Sequence, residues 1–287
     1  MDKLIIPHPY SEVGHYESQY NLKEAHDKFL EVILAFDTFC RKHNIKYSIA
    51  DGTLLGALRH GDFVPWDDDA DVMVTREEYN KIREAIKTDD SIHLVKLRFL
   101  DRIILPKYEE EGYYIDLFIN DEMPQSKFQF KKKKLVTHFL RCYFANGGKL
   151  NHRRVNENIV VRAAKNSLGY LMKMFAKIYI CGRDVFELND EKVKLGSNKG
   201  SGIYTRFTSR MYETNRRFNK KSYDEGYEDI PFRGARVMAI KNAATFLNEM
   251  YGDYTSMPSE EKRKPEHTFN LLLLSEEWGI KRYYKKK

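Results

Sequence analysis

The sequence predicts a mixed α/β (α+β) fold, a sheet flanked by helices. Three observations carry that prediction. Apolar residues recur at three- and four-residue steps from Asn21 to His43; two apolar strand-like stretches, Asp69 to Val74 and Tyr113 to Ile119, carry acids; and the chain turns basic and helical after Pro124. With 287 residues, 42% hydrophobic and 13% aromatic, the chain can bury a full core, which argues against disorder. The composition divides it into a core at 21–123, a helical, basic insertion at 124–200 and a C-terminal helical and irregular segment at 201–287.

In order, residues 1–20 read as an irregular arm. Phe29, Leu30, Ile33, Leu34, Phe36 and Phe39 then make a core-packing helix, with His26 and His43 on its surface. Tyr47 to Ala50 reads as a strand entering a tight turn at Gly52-Thr53, and Leu54 to Arg59 as a short helix leaving it, so backbone N–H groups and a helix N-terminus face whatever sits at the turn, an arrangement that holds phosphate. A strand over Asp69 to Val74 puts Asp69 and Asp71 on one face and points Ala70, Val72 and Val74 into the core. Thr75 with Glu78 three residues on forms a capping box for a helix through Lys87. Ile92 to Leu100 and Arg102 to Tyr108 read as strands, with Lys96 and Arg98 placed to meet a pyrophosphate or merely to face solvent.

Asp67, Asp68, Asp69 and Asp71 repel one another, and a hard divalent ion, Mg²⁺ with Mn²⁺ as the alternative, is the usual way to hold such a cluster. For Asp67 and Asp68 a solvated, backbone-capping turn is an equal reading. Asp116 sits in the middle of an apolar strand, where a carboxylate is seldom placed unless paired or bound to metal.

The net charge of +7 and pI of about 9.0 favour anionic partners: nucleotides, nucleic acid or an anionic membrane surface. Cys40, Cys142 and Cys181 are odd in number and widely spaced, which points to buried thiols in a reducing compartment rather than a disulfide framework or zinc site. With no apolar run of signal or membrane-spanning length, a soluble, cytoplasmic protein is expected, located where it can touch the inner face of the plasma membrane. Lys131 to Lys134 reads as a solvated face. On a helix over Asn158 to Cys181, Arg162, Lys165, Lys173 and Lys177 fall within about 120° of one another, with Ile159, Val160, Leu171, Met174, Phe175 and Ile178 largely on other faces. Such a helix either lies on an anionic membrane or packs in the core with one wet face. Gly202 to Thr208 reads as a strand, Phe207 to Arg210 as a cleft lining, and Lys281 to Lys287 as a charged tail.

Gly52-Thr53-Leu54-Leu55-Gly56, Arg59-His60 and Pro65-Trp66-Asp67-Asp68-Asp69-x-Asp71 together resemble the signature of the LicD family, whose animal relatives are fukutin and the fukutin-related protein. Ile115-Asp116-Leu117-Phe118 and a closing segment with Ile230-Pro231-Phe232, Tyr251-Gly252-Asp253-Tyr254, Met257-Pro258 and His267 extend the resemblance to residues 22–121 and 230–268, leaving the middle unmatched. It departs at Asp51, where the family usually has a small residue, and at Ala70, where it usually has Ile; Asp51 would add negative charge beside the phosphate turn.

The resemblance implies a nucleotidyltransferase-like mixed sheet and Mg²⁺-dependent transfer of a phospho-alcohol, typically phosphocholine from CDP-choline with release of CMP. The acceptor implied is a hydroxyl of a cell-surface glycan such as teichoic acid or lipopolysaccharide, or its lipid-linked precursor. It implies that Asp69, Asp71 and Asp116 hold the metal and that Asp116 also takes the acceptor proton. Gly52 and Thr53 would donate to phosphate, Arg59 would neutralise the leaving CMP, and Trp66 would stack on the base or head group unless it is core. Lys96 and Arg98 would line the donor site. Competing readings with the same residues are a nucleotidyltransferase that releases pyrophosphate, and a non-catalytic relative that binds glycan or, less favoured, RNA.

Overall fold

Helix α1 (Leu22–Lys42) buries Phe29, Val32, Ile33, Phe36 and Phe39, the stripe that the repeat marks out, and carries Glu24 in its first turn and Arg41 and Lys42 in its last, complementing the helix dipole. The computed structural model describes residues 22–96, 100–109, 112–145, 177–183, 185–194, 200–209, 213–263 and 282–283, with isolated positions between 160 and 175. Strand β1 (Ser48–Ile49) leads into α2 (Asp51–His60), and β2 (Asp71–Thr75) leads directly into α3 (Arg76–Ala85). The Thr75 hydroxyl accepts from the Glu78 N–H at 3.4 Å as the capping box requires, while the Glu78 carboxylate takes the Lys46 N–H at 2.8 Å instead.

Strands β3 (His93–Lys96), β4 (Asp101–Ile104) and β5 (Tyr114–Pro124) complete the core sheet. Strand β4 stops short of the expected Tyr108: Pro106 starts a 3₁₀ turn over Pro106–Tyr108, since proline cannot donate to a ladder. Further on come α4 (Lys127–Ala145), α5 (Val185–Lys194), β6 (Gly200–Thr205), β7 (Phe218–Asn219), α6 (Lys221–Asp224), β8 (Tyr227–Phe232), β9 (Ala235–Ile240), α7 (Ala243–Tyr251) and β10 (Arg282–Tyr283). The sheet order is β1-β2-β5-β4-β3-β10, with β6 pairing the far end of β5 and β7 pairing β6. Within it β2 and β5 run parallel and the other pairs antiparallel. Strand β10 falls where the sequence suggests only a charged tail; its two residues add an edge to β3.

The β8–β9 hairpin turns at Arg233-Gly234, both with positive φ (47° and 78°), the mirror-image turn that matches strand twist. It closes over β1, where Ile240 N donates to Ser48 Oγ (3.1 Å) and Met238 N to the Tyr47 hydroxyl (3.4 Å). One contiguous core runs from α1 through the sheet to β9 and α7; Leu140, Ile180 and Leu188 form a small satellite core in the insertion.

Three side-chain expectations fail. The run Lys131 to Lys134 is not all solvated: Lys133 is buried and donates to the Val193 carbonyl. His26 is buried, donating from Nε2 to the Asp67 carbonyl (2.7 Å) and stacking on Phe63. Cys40 is a buried thiol as expected, but Cys181 follows a helix end with φ of 49° and is exposed. Residues 1–20, the side chain of Cys142, and Arg98, Arg162, Lys165, Lys173, Arg210 and His267 lie outside the described residues.

Candidate active site

The site is built by strand register. Asp71 on β2 is the parallel partner of Asp116 on β5, and Asp116 is the antiparallel partner of Arg102 on β4, so the three residues form one row across adjacent strands. Asp69 lies in the loop just before β2 and joins them: one carboxylate oxygen from each of Asp69, Asp71 and Asp116 lies within 4.8 Å of the others. The backbone fixes that loop, because Asp116 N donates to the Ala70 carbonyl (2.8 Å) and Ala50 N to that of Asp71 (2.9 Å).

Asp71 and Asp116 are both buried, and Ala70, Val72 and Val74 pack in the core as the alternation predicts. Burial pushes the Asp71 carboxyl well above the ordinary carboxylate range, and the neighbouring charges of Asp69, Asp51, Asp116 and Asp67 add to it. Three hard oxygen donors in mutual repulsion are the donor set that a divalent cation such as Mg²⁺ or Mn²⁺ satisfies. Arg102, absent from the sequence-derived site, donates from Nε to Asp116 Oδ1 at 2.6 Å and lies over the Tyr114 ring at 3.7 Å. One oxygen of Asp116 is thereby committed to a buried ion pair that orients the carboxylate. The signal was a lone arginine in a strand beside the acid-bearing one, but pairing it with Asp116 needs the register.

The glycine turn differs from its expectation. Asp51 opens α2 with φ of 43°, so the left-handed residue is the aspartate, and Gly52 already lies in the first helical turn. Gly52 instead leaves room for the Asp67 side chain: a Cβ there would fall 2.2 Å from Asp67 Oδ2, which would have to shift. The N–H groups of the first turn have no acceptor within the helix and remain suited to an anion. The Thr53 hydroxyl is buried and accepts from Asp71 N at 2.8 Å, so it tethers the acid strand, and any donation to phosphate comes second.

Asp51 does not leave an extra charge at this turn. Its carboxylate receives two hydrogen bonds from the buried Arg206 (2.5 and 2.6 Å) and faces Arg216 at 3.4 Å. Arg206 is itself stacked over Phe118 at 3.8 Å. Helix α7 packs on α2, and Tyr251 at its end is 43% exposed over the whole residue, while its hydroxyl is pushed up by local burial and by the carboxylates of Asp51 and Asp71. Sequence spacing gave no sign of Arg206 or Arg216, more than 150 residues away from their partner.

Lys96 is placed elsewhere. It pairs in register with Asp101, which pairs with Leu117, the row next to Arg102 and Asp116, so strand alternation sends it to the opposite face of the sheet. There it is 2% exposed and donates to Asp190 (2.9 Å), a structural ion pair on the α3 side. Arg59 lies about 9 Å along α2 from Thr53 at the helical rise, reaching the carbonyls of Tyr254 and Ser256 (both 3.4 Å) rather than the carboxylates. Trp66 is half-buried with Arg263 over its ring at 5.9 Å, so it is a rim residue and not core.

Residues 44–146, which include Thr53, all three acids and Arg102, match the family model described as LicD/FKTN/FKRP, nucleotidyltransferase domain. The chain carries a LicD-family domain. Beyond it, the chain is 26% identical over 277 residues to the lipopolysaccharide cholinephosphotransferase LicD of Haemophilus influenzae, covering 88% of this chain and 98% of that protein. It is also 30% identical over 97 residues to an uncharacterized protein of Rickettsia prowazekii, covering 30% of this chain and 36% of that one. The LicD-like similarity to the Haemophilus protein thus extends past the matched domain into the segments that bring Arg206 and Tyr251 to the site.

Proposed function

We propose that this LicD-family chain is a transferase that moves a phospho-alcohol, phosphocholine from CDP-choline first among candidates, onto a hydroxyl of a cell-surface glycan or its lipid-linked precursor, with release of CMP. The observation that carries the reading is the convergence of Asp69, Asp71 and Asp116 in a chain similar along nearly its whole length to a lipopolysaccharide cholinephosphotransferase.

Phosphoryl transfer asks a protein mainly for positioning and charge stabilisation. Asp69, Asp71 and Asp116 would hold Mg²⁺, which supplies Lewis-acid neutralisation of the donor pyrophosphate. The first-turn N–H groups of α2 would receive phosphate oxygens, and Arg216, beside Asp51, supplies a cation at the same helix end. Thr53 and Arg102 keep Asp71 and Asp116 in register. The acceptor proton would pass to Asp116.

The test is incubation with Mg²⁺ and a panel of CDP-alcohols and nucleoside triphosphates. CMP release from a CDP-alcohol with the glycan labelled supports the proposal; pyrophosphate release from a triphosphate would instead identify a nucleotidyltransferase.

A further inference from the structure

From Lys127 to Gly182 the chain carries thirteen lysines and arginines against a single acid, Glu157. That excess is larger than the net charge of the whole protein, so the positive charge resides in the insertion and the remainder is net acidic. Tyr170, Leu171, Met174, Phe175 and Lys177 to Ile180 are helical. At 100° per residue the side chains of Tyr170, Leu171, Met174, Phe175 and Ile178 fall within an arc of about 140°, and all five are exposed, Phe175 at 67% and Ile178 at 70%. Ile180 points the other way, into the satellite core with Leu140 and Leu188. The helix therefore uses its narrower side for packing and turns its apolar stripe outward. Helix α4 repeats the arrangement: Phe128 (75%) and Leu135 (69%) are exposed on the face that also presents Lys127, Lys131 and Lys132.

We propose that this face of the insertion docks on an anionic lipid bilayer, with the apolar stripe entering the acyl boundary and the flanking lysines meeting the headgroups. The charge selects the occupant. A second copy would bring like charges face to face, and nucleic acid would use the lysines but leave five exposed apolar side chains without a role. A bilayer with anionic headgroups uses both. Among the described residues no helix is long and apolar enough to cross a membrane, and the contact proposed is a peripheral one. A lipid-linked acceptor would give the contact its purpose, and that clause alone rests on the transferase reading.

The experiment is flotation of the full chain with vesicles of phosphatidylcholine, alone or mixed with phosphatidylglycerol. It needs neither donor nor acceptor, so it fails independently of the transfer assay. The parent is expected to float with the mixed vesicles and not the neutral ones. Leu171→Ser/Phe175→Ser/Ile178→Ser should lose flotation with an unchanged melting profile, since the replaced side chains are exposed, and Lys131→Gln/Lys132→Gln/Lys177→Gln should weaken it about 100-fold. Phe175→Trp should add blue-shifted emission that brominated acyl chains quench. A parent that does not float, an apolar variant that floats as well as the parent, or light scattering that shows a parent dimer dissolved by the apolar substitutions would overturn the proposal.

Discussion

Gly52 and Gly56 stand four residues apart on α2 and do different work. A Cβ on Gly56 would meet backbone on the crossing loop, at 2.5 Å from the Asp62 carbonyl oxygen and 2.7 Å from Val64 N, which cannot move aside. Gly56→Ala should cost about 1–3 kcal/mol in chemical denaturation. Gly52→Ala meets the end of the Asp67 side chain, so it should melt close to the parent while transfer falls. Equal activity of Gly52→Ala and parent would mean that crowding Asp67 is harmless. At Asp51, asparagine also tolerates the left-handed backbone, so Asp51→Asn removes the charge alone and takes from the buried Arg206 the carboxylate that receives two of its hydrogen bonds. The expected loss is about 3–5 kcal/mol, and Arg206→Met in the same background should cost less than the sum of the two single changes. A pair of near-additive values would contradict the coupling. Gly52, Thr53, Asp69, Asp71 and Asp116 are legible because their signals are local: a tight turn between strand and helix, a cluster of aspartates, and an acid in the middle of an apolar strand. Asp51 reads as a loose charge because its partner is 155 residues away and carries no local sign.

At the scale of elements, α5 is held to the sheet by charge. Asp190 receives Lys96 of β3 (2.9 Å) and both Arg76 (3.2 Å) and Arg83 (3.3 Å) of α3, while Arg76 forks onto Asp121 of β5. Burial alone would push the Asp190 carboxyl up, but Arg76, Lys96 and Arg83 outweigh it and hold it below the usual range. A carboxyl depressed on folding contributes stability that is present above its unfolded value of about 3.9 and is lost as pH falls through the lower folded value. Thermal melts taken downward from pH 5 should therefore lose stability in the parent faster than in Asp190→Asn, which should itself start about 3–5 kcal/mol lower. Parallel pH profiles would refute the assignment. The elements themselves were legible where periodicity or capping is local: α1 ends within a residue of its expected bounds, and Thr75 caps α3. The face on which Lys96 lies was not legible, because alternation fixes relative faces only once the register between β3, β4 and β5 is known.

At the scale of the whole molecule, the acid row and the basic charge are segregated: the acid row sits on the core sheet, and the excess lysine and arginine lie in the helical insertion. That separation predicts that substitutions on the exposed stripe of the insertion leave metal binding untouched. If the acid row holds a cation, the cation binds the folded chain and stabilises it. Mg²⁺ should raise the melting temperature of the parent and a chelator should reverse it, and neither should move Asp71→Asn as far. The measurement that bears most directly on the central claim is CMP release from CDP-choline, with and without chelator, by the parent and by Asp71→Asn. The account predicts Mg²⁺-dependent release by the parent and a loss of at least about 100-fold in the folded variant; release that survives chelation, or near-normal turnover by Asp71→Asn in Mg²⁺, would contradict it.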